Sequence, residues 1–311
     1  MTRGPLDGMK VPRFAGPATF ARLPTRAEVE KVDVGILGLP YDNGVTYRPG
    51  ARFGPSGIRQ ASRLLRPYHP GLDVSPFEPR QVADCGDVAC TPFDIPQALA
   101  EIEAGVAELL ATGARVVALG GDHTIALPML RAVREQLGSP VALVHFDAHL
   151  DTWDAHFGQR YTHGSPFRRA AEEKLFDSDR SLHVGIRGPI FGPGDLAADA
   201  ELGFRIIDCT QVAERGPAWT AERIRERLGE GPVYISIDID VLDPAFAPGT
   251  GTPEAGGLSS RELLQVLRGL KGLRLASSDL VEVAPAYDHA EVTGIAAAHL
   301  VYELLGLMAA E

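Results

Sequence analysis

From residue 32 onward the chain alternates between short apolar runs rich in β-branched residues and longer stretches of helical period. The runs predict strands over 32–39, 82–88, 115–120, 141–146, 182–186, 205–208, 233–239 and 273–283. Several are almost continuously apolar, as expected of strands covered on both faces. Between them, residues 96–112 place Ile102, Val106, Leu109 and Leu110 on one side and Glu101, Glu103 and Glu108 elsewhere. That is the pattern of an amphipathic helix. Residues 220–228 and 261–270 read the same way, and 291–310 is apolar enough for a largely buried helix. Repeated strand–helix alternation implies right-handed crossovers, hence a mainly parallel sheet of about eight strands with helices on both faces. The expected fold class is a three-layer α/β/α domain. Residues 1–31, rich in Pro, Gly and Arg and without a period, read as an N-terminal arm packed on a neighbouring subunit. Residues 32–311 read as a single catalytic domain, with no repeat and no composition shift inside it.

Composition narrows the partners. The 311 residues carry 30 Lys plus Arg against 41 Asp plus Glu, a net charge of −11. Nucleic acid and anionic membrane both demand basic patches, so neither is expected as the main partner. A neutral or cationic ligand suits the balance better. The three cysteines, Cys85, Cys90 and Cys209, form no metal-binding pair and read as reduced thiols. The first residues lack the apolar core of a signal peptide, and a cytoplasmic location is expected.

In a parallel sheet the ligand site lies beyond the carboxyl ends of the strands. Three such ends concentrate ligand-type residues. Residues 141–151 end in Asp147, His149 and Asp151, spaced by two. An extended chain with this spacing turns all three to one side. Carboxylates converging at an apolar strand end repel one another unless a cation joins them. Residues 233–244 add Asp238 and Asp240, again two apart, whereas Asp243 before Pro244 suits a turn. After the strand at 115–120, two glycines precede Asp122 and His123, with Asp122 placed to cap a helix. The set His123, Asp147, His149, Asp151, Asp238 and Asp240 carries four carboxylates, which two divalent cations would neutralise. Imidazole and carboxylate without thiolate suit Mn²⁺ better than structural Zn²⁺, with Ni²⁺ open on ligand type alone. Two such ions acidify a water, which suits hydrolysis without a side-chain nucleophile.

At these residues the sequence resembles the ureohydrolases, the family of arginase and agmatinase. The matching segments are GGDH (120–123), DAHLD (147–151), SIDIDVLDP (236–244) and VEVAP (281–285). RPGARFGP (48–55), GTGTPEAGGL (249–258) and APAYDHAE (284–291) look more like the agmatinase and guanidino-acid branch than true arginase. The resemblance implies the α/β/α ureohydrolase fold, two Mn²⁺ per subunit, and a homotrimer or homohexamer. It implies that His123 and Asp151 hold one metal, that His149 and Asp240 hold the other, and that Asp147 and Asp238 bridge them. It further implies that Glu282 pairs with a substrate guanidinium and that His163 assists proton transfer. The activity implied is cleavage of a linear guanidino compound to urea and an amine.

For the far end of the substrate, residues 152–162 (TWDAHFGQRYT) hold no Asn or Ser, unlike the loop of true arginases. Asp154 beside Trp153 is placed in sequence to receive the ammonium of agmatine by charge and cation–π contact. Arg160 is the alternative, pairing with the carboxylate of 4-guanidinobutanoate, 3-guanidinopropanoate or a proclavaminate-type substrate. Agmatine is the expected substrate. Outside this reaction class stand a one-zinc deacetylase, which shares the fold but uses fewer ligands, and a non-catalytic guanidine-binding homologue. No ligand position is vacant, which argues against both.

Overall fold

The apolar runs form eight strands in the computed structural model, which describes residues 2–311. They are β1 (Val34–Leu39), β2 (Val82–Asp87), β3 (Arg115–Gly120), β4 (Ala142–Phe146), β5 (Leu182–Val184), β6 (Arg205–Ile207), β7 (Pro232–Asp238) and β8 (Arg274–Val281). All pair in parallel in one sheet of order β2-β1-β3-β8-β7-β4-β5-β6. The chain leaves β3 for β4 across a gap that β7 and β8 fill later. That discontinuity is the topological switch point at which α/β sheets open a ligand crevice.

Eight helices flank the sheet: α1 (Gly54–Ala61), α2 (Ile95–Leu110), α3 (Ala126–Leu137), α4 (Pro166–Glu172), α5 (Pro193–Glu201), α6 (Cys209–Leu228), α7 (Ser260–Arg268) and α8 (Val292–Ala309). Side chains alternate across each strand, so the sheet feeds two cores. Val117 and Leu119 of β3 join α1, α6, α7 and α8, whereas Val116 and Ala118 join α2, α3 and α4. The α/β/α layering thus follows from strand alternation. Helix α8 is long and apolar enough to span a membrane by composition, but it is a core helix, with Leu300, Val301, Leu304, Leu305 and Leu307 buried.

Helix α6 begins eleven residues before the helix the sequence pattern suggests, and it is broken at Gly216, whose φ is +81°. Pro217 follows, and proline cannot continue the hydrogen-bond ladder of the turn before it. The two halves therefore carry separate periods, and only the second shows a clear one.

The segment ahead of β1 folds back on its own chain. Phe20 and Leu23 are buried in the core that holds α1 and α8. The Phe20 amide donates to Asp84 Oδ2 at 2.7 Å and the Ala21 amide to Ser62 Oγ at 2.7 Å. Thr25 makes a parallel bridge with Asp84 at the outer edge of β2. Arg59 on α1 locks this corner. Its Nε and Nη2 donate to the two oxygens of Asp84 at 2.8 and 3.0 Å, and its Nη1 to Asp87 at 2.6 Å. Arg59 and Asp84 are both buried. Removing one partner of a buried ion pair strands the other charge. Arg59→Ala is therefore expected to lower stability by about 3–5 kcal/mol in denaturant unfolding. A loss under about 1 kcal/mol, the worth of an exposed pair, would show that Asp84 does not depend on it.

Candidate metal centre and substrate cleft

The four central strands, β3, β8, β7 and β4, end at one level, with Leu119 beside Leu280, Asp238 beside Val281 and Ile237 beside Phe146. His123 follows β3, Glu282 follows β8, Asp238 ends β7 and Asp147 follows β4. The turn after β3 requires Gly121, where a Cβ would lie 2.0 Å from the Tyr41 carbonyl oxygen. Asp122 then caps a 3₁₀ turn, accepting from the Thr124 amide through Oδ1 at 2.9 Å and from the Gly44 amide through Oδ2 at 2.7 Å.

All six residues singled out in sequence converge. His123 Nδ1 lies 3.2 Å from Asp147 Oδ2, 3.0 Å from Asp151 Oδ2 and 3.2 Å from Asp238 Oδ2. It makes no well-directed hydrogen bond to any of them. A second group stands beside it, with His149 Nδ1 at 3.3 Å from Asp147 Oδ1 and 3.1 Å from Asp240 Oδ2. Asp147 belongs to both groups, one oxygen turned to each. Asp238 faces His123 with Oδ2 and accepts the Asp240 amide with Oδ1 at 2.8 Å.

The electrostatics of the cluster call for positive charge. Burial raises the Asp238 carboxyl well above the ordinary range, and the like charges of Asp240 and Asp147 add to the shift. Burial and then Asp147 raise Asp240 to about 6 and also raise Asp151. Asp147 goes the other way: burial opposes it, but His145, His123 and His149 hold it well below the usual range. Burial also works against a charged His123, yet Asp147, Asp151 and Asp238 outweigh it and hold the imidazolium well above its ordinary range. A buried lone pair ringed by carboxylate oxygens is repulsive unless a cation or a proton occupies the centre. The donor set fits a divalent metal on that ground.

Further side chains hold the residues of this cluster in place. Ser236 Oγ donates to Asp279 at 2.6 Å, so it accepts from His123 Nε2 at 2.9 Å. That commits the Nε2 proton and presents Nδ1 to the cluster, as outer partners of metal-binding histidines generally do. Asp279, buried mid-strand, also accepts from the Tyr234 hydroxyl. His145, inside β4, contacts Asp147 Oδ2 through Nε2 at 2.7 Å. Its Nδ1 meets His183 Nδ1 at 2.7 Å, and His183 Nε2 meets Asp199 Oδ1 at 3.1 Å. Burial pushes the His145 imidazolium down to about 3. Arg187 donates to the carbonyls of Asp240, Val241 and Glu254 at 2.7–3.1 Å, fixing the backbone behind Asp240. Ser236, His183, Asp199, Asp279 and Arg187 escape sequence reasoning because each acts across strands rather than within a segment. The only local signal is that Ser236, like Asp238, lies on an alternate position of β7.

Glu282 accepts from the His123 amide at 2.9 Å and from His163 Nδ1 at 3.0 Å, both through Oε1. Its Oε2 is buried without a partner. The Thr46 amide points at His163 Nε2 from 3.1 Å. Two site residues, Asp151 (φ 54°) and Glu282 (φ 63°), hold left-handed backbone conformations. Each costs about 1–3 kcal/mol at a non-glycine residue and marks a place where side-chain aim is imposed on the chain.

Above the cluster opens a cleft of about 550 Å³. Asp151, Asp238, His149, His163 and Glu254 line its polar side, and Trp153, His156, Phe157 and Phe191 its aromatic side. The Trp153 indole donates to Asp195 Oδ2 at 3.1 Å, which also accepts the Phe191 amide at 2.9 Å. Of the three tail candidates, only Trp153 lines the cleft. Asp154 is drawn off by Arg169, at 2.6 Å, and Arg160 by Glu172, at 2.9 Å; both side chains are largely exposed. Their position in the loop is as expected, but their side chains leave it. Glu254, inside the segment 249–258 but given no role in the sequence reading, is a charged cleft residue; its Oε1 lies 3.7 Å from His149 Nε2.

Comparison with known proteins agrees with this geometry. Residues 32–306 match the arginase family. The chain is 44% identical to guanidinopropionase of Pseudomonas aeruginosa over 98% of its own length and 96% of that protein's. It is 42% identical to mitochondrial agmatinase of Gallus gallus over 95% of its length and 86% of that protein's. The solved structure of proclavaminate amidino hydrolase from Streptomyces clavuligerus superposes with a TM-score of 0.92 at 44% identity, covering 96% of this chain and 99% of that one. The chain therefore belongs to the arginase family of ureohydrolases, in its agmatinase and guanidino-acid branch, and is a hydrolase acting on guanidino compounds.

Proposed function

We propose that this enzyme cleaves agmatine to putrescine and urea, and that two Mn²⁺ ions serve it. The observation that carries the substrate choice is the lining of the cleft. Among the described residues, beyond the carboxylates of the metal cluster, it contains Glu254 and an aromatic wall, but no lysine or arginine. An ammonium tail finds charge and π faces there, whereas a carboxylate tail finds no cation. A second reading, a guanidino acid such as 3-guanidinopropanoate or 4-guanidinobutanoate, is favoured by the names of several similar proteins, guanidinopropionase and guanidinobutyrase among them.

His123 and Asp151 would hold one cation, His149 and Asp240 the other, with Asp147 and Asp238 between them. Nitrogen and oxygen donors without sulfur suit Mn²⁺. When bound, such a pair of cations supplies a water acidified enough to act as nucleophile near neutral pH. The chain's own groups do the rest. Glu282 offers the free Oε2 to a guanidinium N–H, a charge-assisted contact that orients the reacting carbon over the cluster. Asp151 lies on the cleft floor and accepts the proton of the attacking water. His163, hydrogen-bonded to Glu282 and facing the cleft, gives a proton to the departing amine. Asp151 and Glu282 are the residues with imposed backbone conformations, consistent with aim being critical at both. We further read residues 32–311 as one catalytic unit, working as a homotrimer or homohexamer in the cytoplasm.

The substrate choice is tested by urea release from Mn²⁺-loaded enzyme. Agmatine is expected to exceed 3-guanidinopropanoate and 4-guanidinobutanoate in kcat/KM by about tenfold or more, the worth of one buried charge-assisted interaction. Preference for either acid would overturn the tail assignment while leaving the hydrolytic chemistry in place.

The proton donor is tested by pH. Burial opposes a charged His163, but Glu282 and Asp151 overcome it and raise the imidazolium to about 9. The Thr46 amide aimed at Nε2 favours the neutral ring, so titration is expected at or below that value. His163 is protonated below its pKa and loses its proton as pH rises through it. The kcat/KM profile should therefore fall on the alkaline side with a limb at or below about 9, and His163→Asn should remove that limb along with most of the activity. An unchanged alkaline limb in His163→Asn would assign the titration to another group.

A further inference from the structure

Asp199 sits on α5, sixteen residues beyond His183 of β5. It is 1% exposed. Its Oδ1 accepts from His183 Nε2 at 3.1 Å and from the Thr152 hydroxyl at 2.8 Å. The first contact leads through His145 to Asp147. The second leads to the residue that follows Asp151. One buried carboxylate oxygen therefore grips segment 147–152 at both ends.

We infer that Asp199 is a positioning residue for that segment, holding Asp147 and Asp151 in the mutual orientation that two metal ions require. The inference rests on the metal-centre reading given above. The rings between Asp199 and Asp147 leave little play. His183 stacks on Phe204 with centroids 3.9 Å apart, and His145 lies against Phe167 at 4.2 Å. Each is thereby fixed in plane by packing and in rotation by its two hydrogen bonds. The cost of the arrangement also speaks for a role beyond stability. Asp199 Oδ2 is buried without a partner. A buried carboxylate half-satisfied in this way is worse for stability than an apolar side chain of like shape. The same helix carries Asp195, one turn earlier on the same side, which fixes Trp153 and Phe191. Helix α5 thus aligns the cleft wall and the floor from a single rigid element.

The test is Mn²⁺ binding by the full-length protein after chelation, read by equilibrium titration and by the spin-coupled signal of paired Mn²⁺. Asp199→Asn keeps the shape but removes the charge, and it is expected to weaken Mn²⁺ binding about 10–100-fold, the usual cost of removing an outer partner of a metal ligand. At saturating Mn²⁺ the coupled signal should return and KM should stay within about twofold of wild type, because the substrate-binding groups are intact. Thr152→Val removes only one of the two grips and should give a smaller loss in the same direction. Wild-type Mn²⁺ affinity in both variants, with only a lower unfolding midpoint of the metal-free protein, would overturn the inference and leave Asp199 a packing residue. Should Asp199→Asn fail to fold, Thr152→Val decides, and unchanged affinity there overturns it. The Mn²⁺ titration and the coupled signal need no turnover. Failure of the guanidine reading would instead appear as normal wild-type Mn²⁺ binding without urea.

Discussion

Four aspartates driven together at the ends of adjacent strands constrain everything else in this molecule. Their mutual repulsion, added to the cost of burial, opposes the fold unless positive charge enters among them. The sheet brings them there regardless, because hydrogen-bonded parallel strands in register must end side by side. Register is thus converted into electrostatic tension, which a cation among the carboxylates would relieve. Asp147 shows the principle at one residue. Three imidazoles surround it and hold it ionised while its neighbours are pushed towards their neutral forms.

Holding such a cluster takes more than the six residues themselves. Behind His123 stand Ser236 and Asp279, and behind Asp240 stands Arg187 with its donors on backbone carbonyls. The strand order explains why support comes from so many places. Because β7 and β8 slot between β3 and β4, each ligand has neighbours from remote parts of the chain. The result is a floor with rigid sides and a cleft whose outer wall is built separately, from the loop after β4 and the start of α5.

Much of this was legible in the sequence, for identifiable reasons. Strands covered on both faces have no polar alternation to confuse them, so β1, β3, β4 and β7 stand out as apolar runs. The ligand segments are legible because each is local: Asp147, His149 and Asp151 reveal their common side by spacing alone. Helices α4 and α5 are short and α6 is broken at Gly216, so none offers enough turns of one period to be seen entire. Asp199 and His183 are silent in sequence because their meaning lies in a contact between a helix and a strand. Asp154 and Arg160 illustrate a further limit. Sequence places them in the loop near the substrate, but whether a side chain enters a cleft depends on competing partners, and Arg169 and Glu172 win.

The return of residues 24 and 25 along β2 bears on how the molecule meets its neighbours. An open parallel sheet has two rims with unpaired peptide groups, each a template for another chain to join. Here the Asp84 amide donates to the Pro24 carbonyl at 2.9 Å, and Thr25 bridges the same residue, so one rim is already occupied by the chain itself. The other rim is β6, only three residues long, with Arg205 exposed on it. Neither rim invites strand addition. Any contact between copies of this protein would therefore fall on helices and loops rather than on the rims of the sheet.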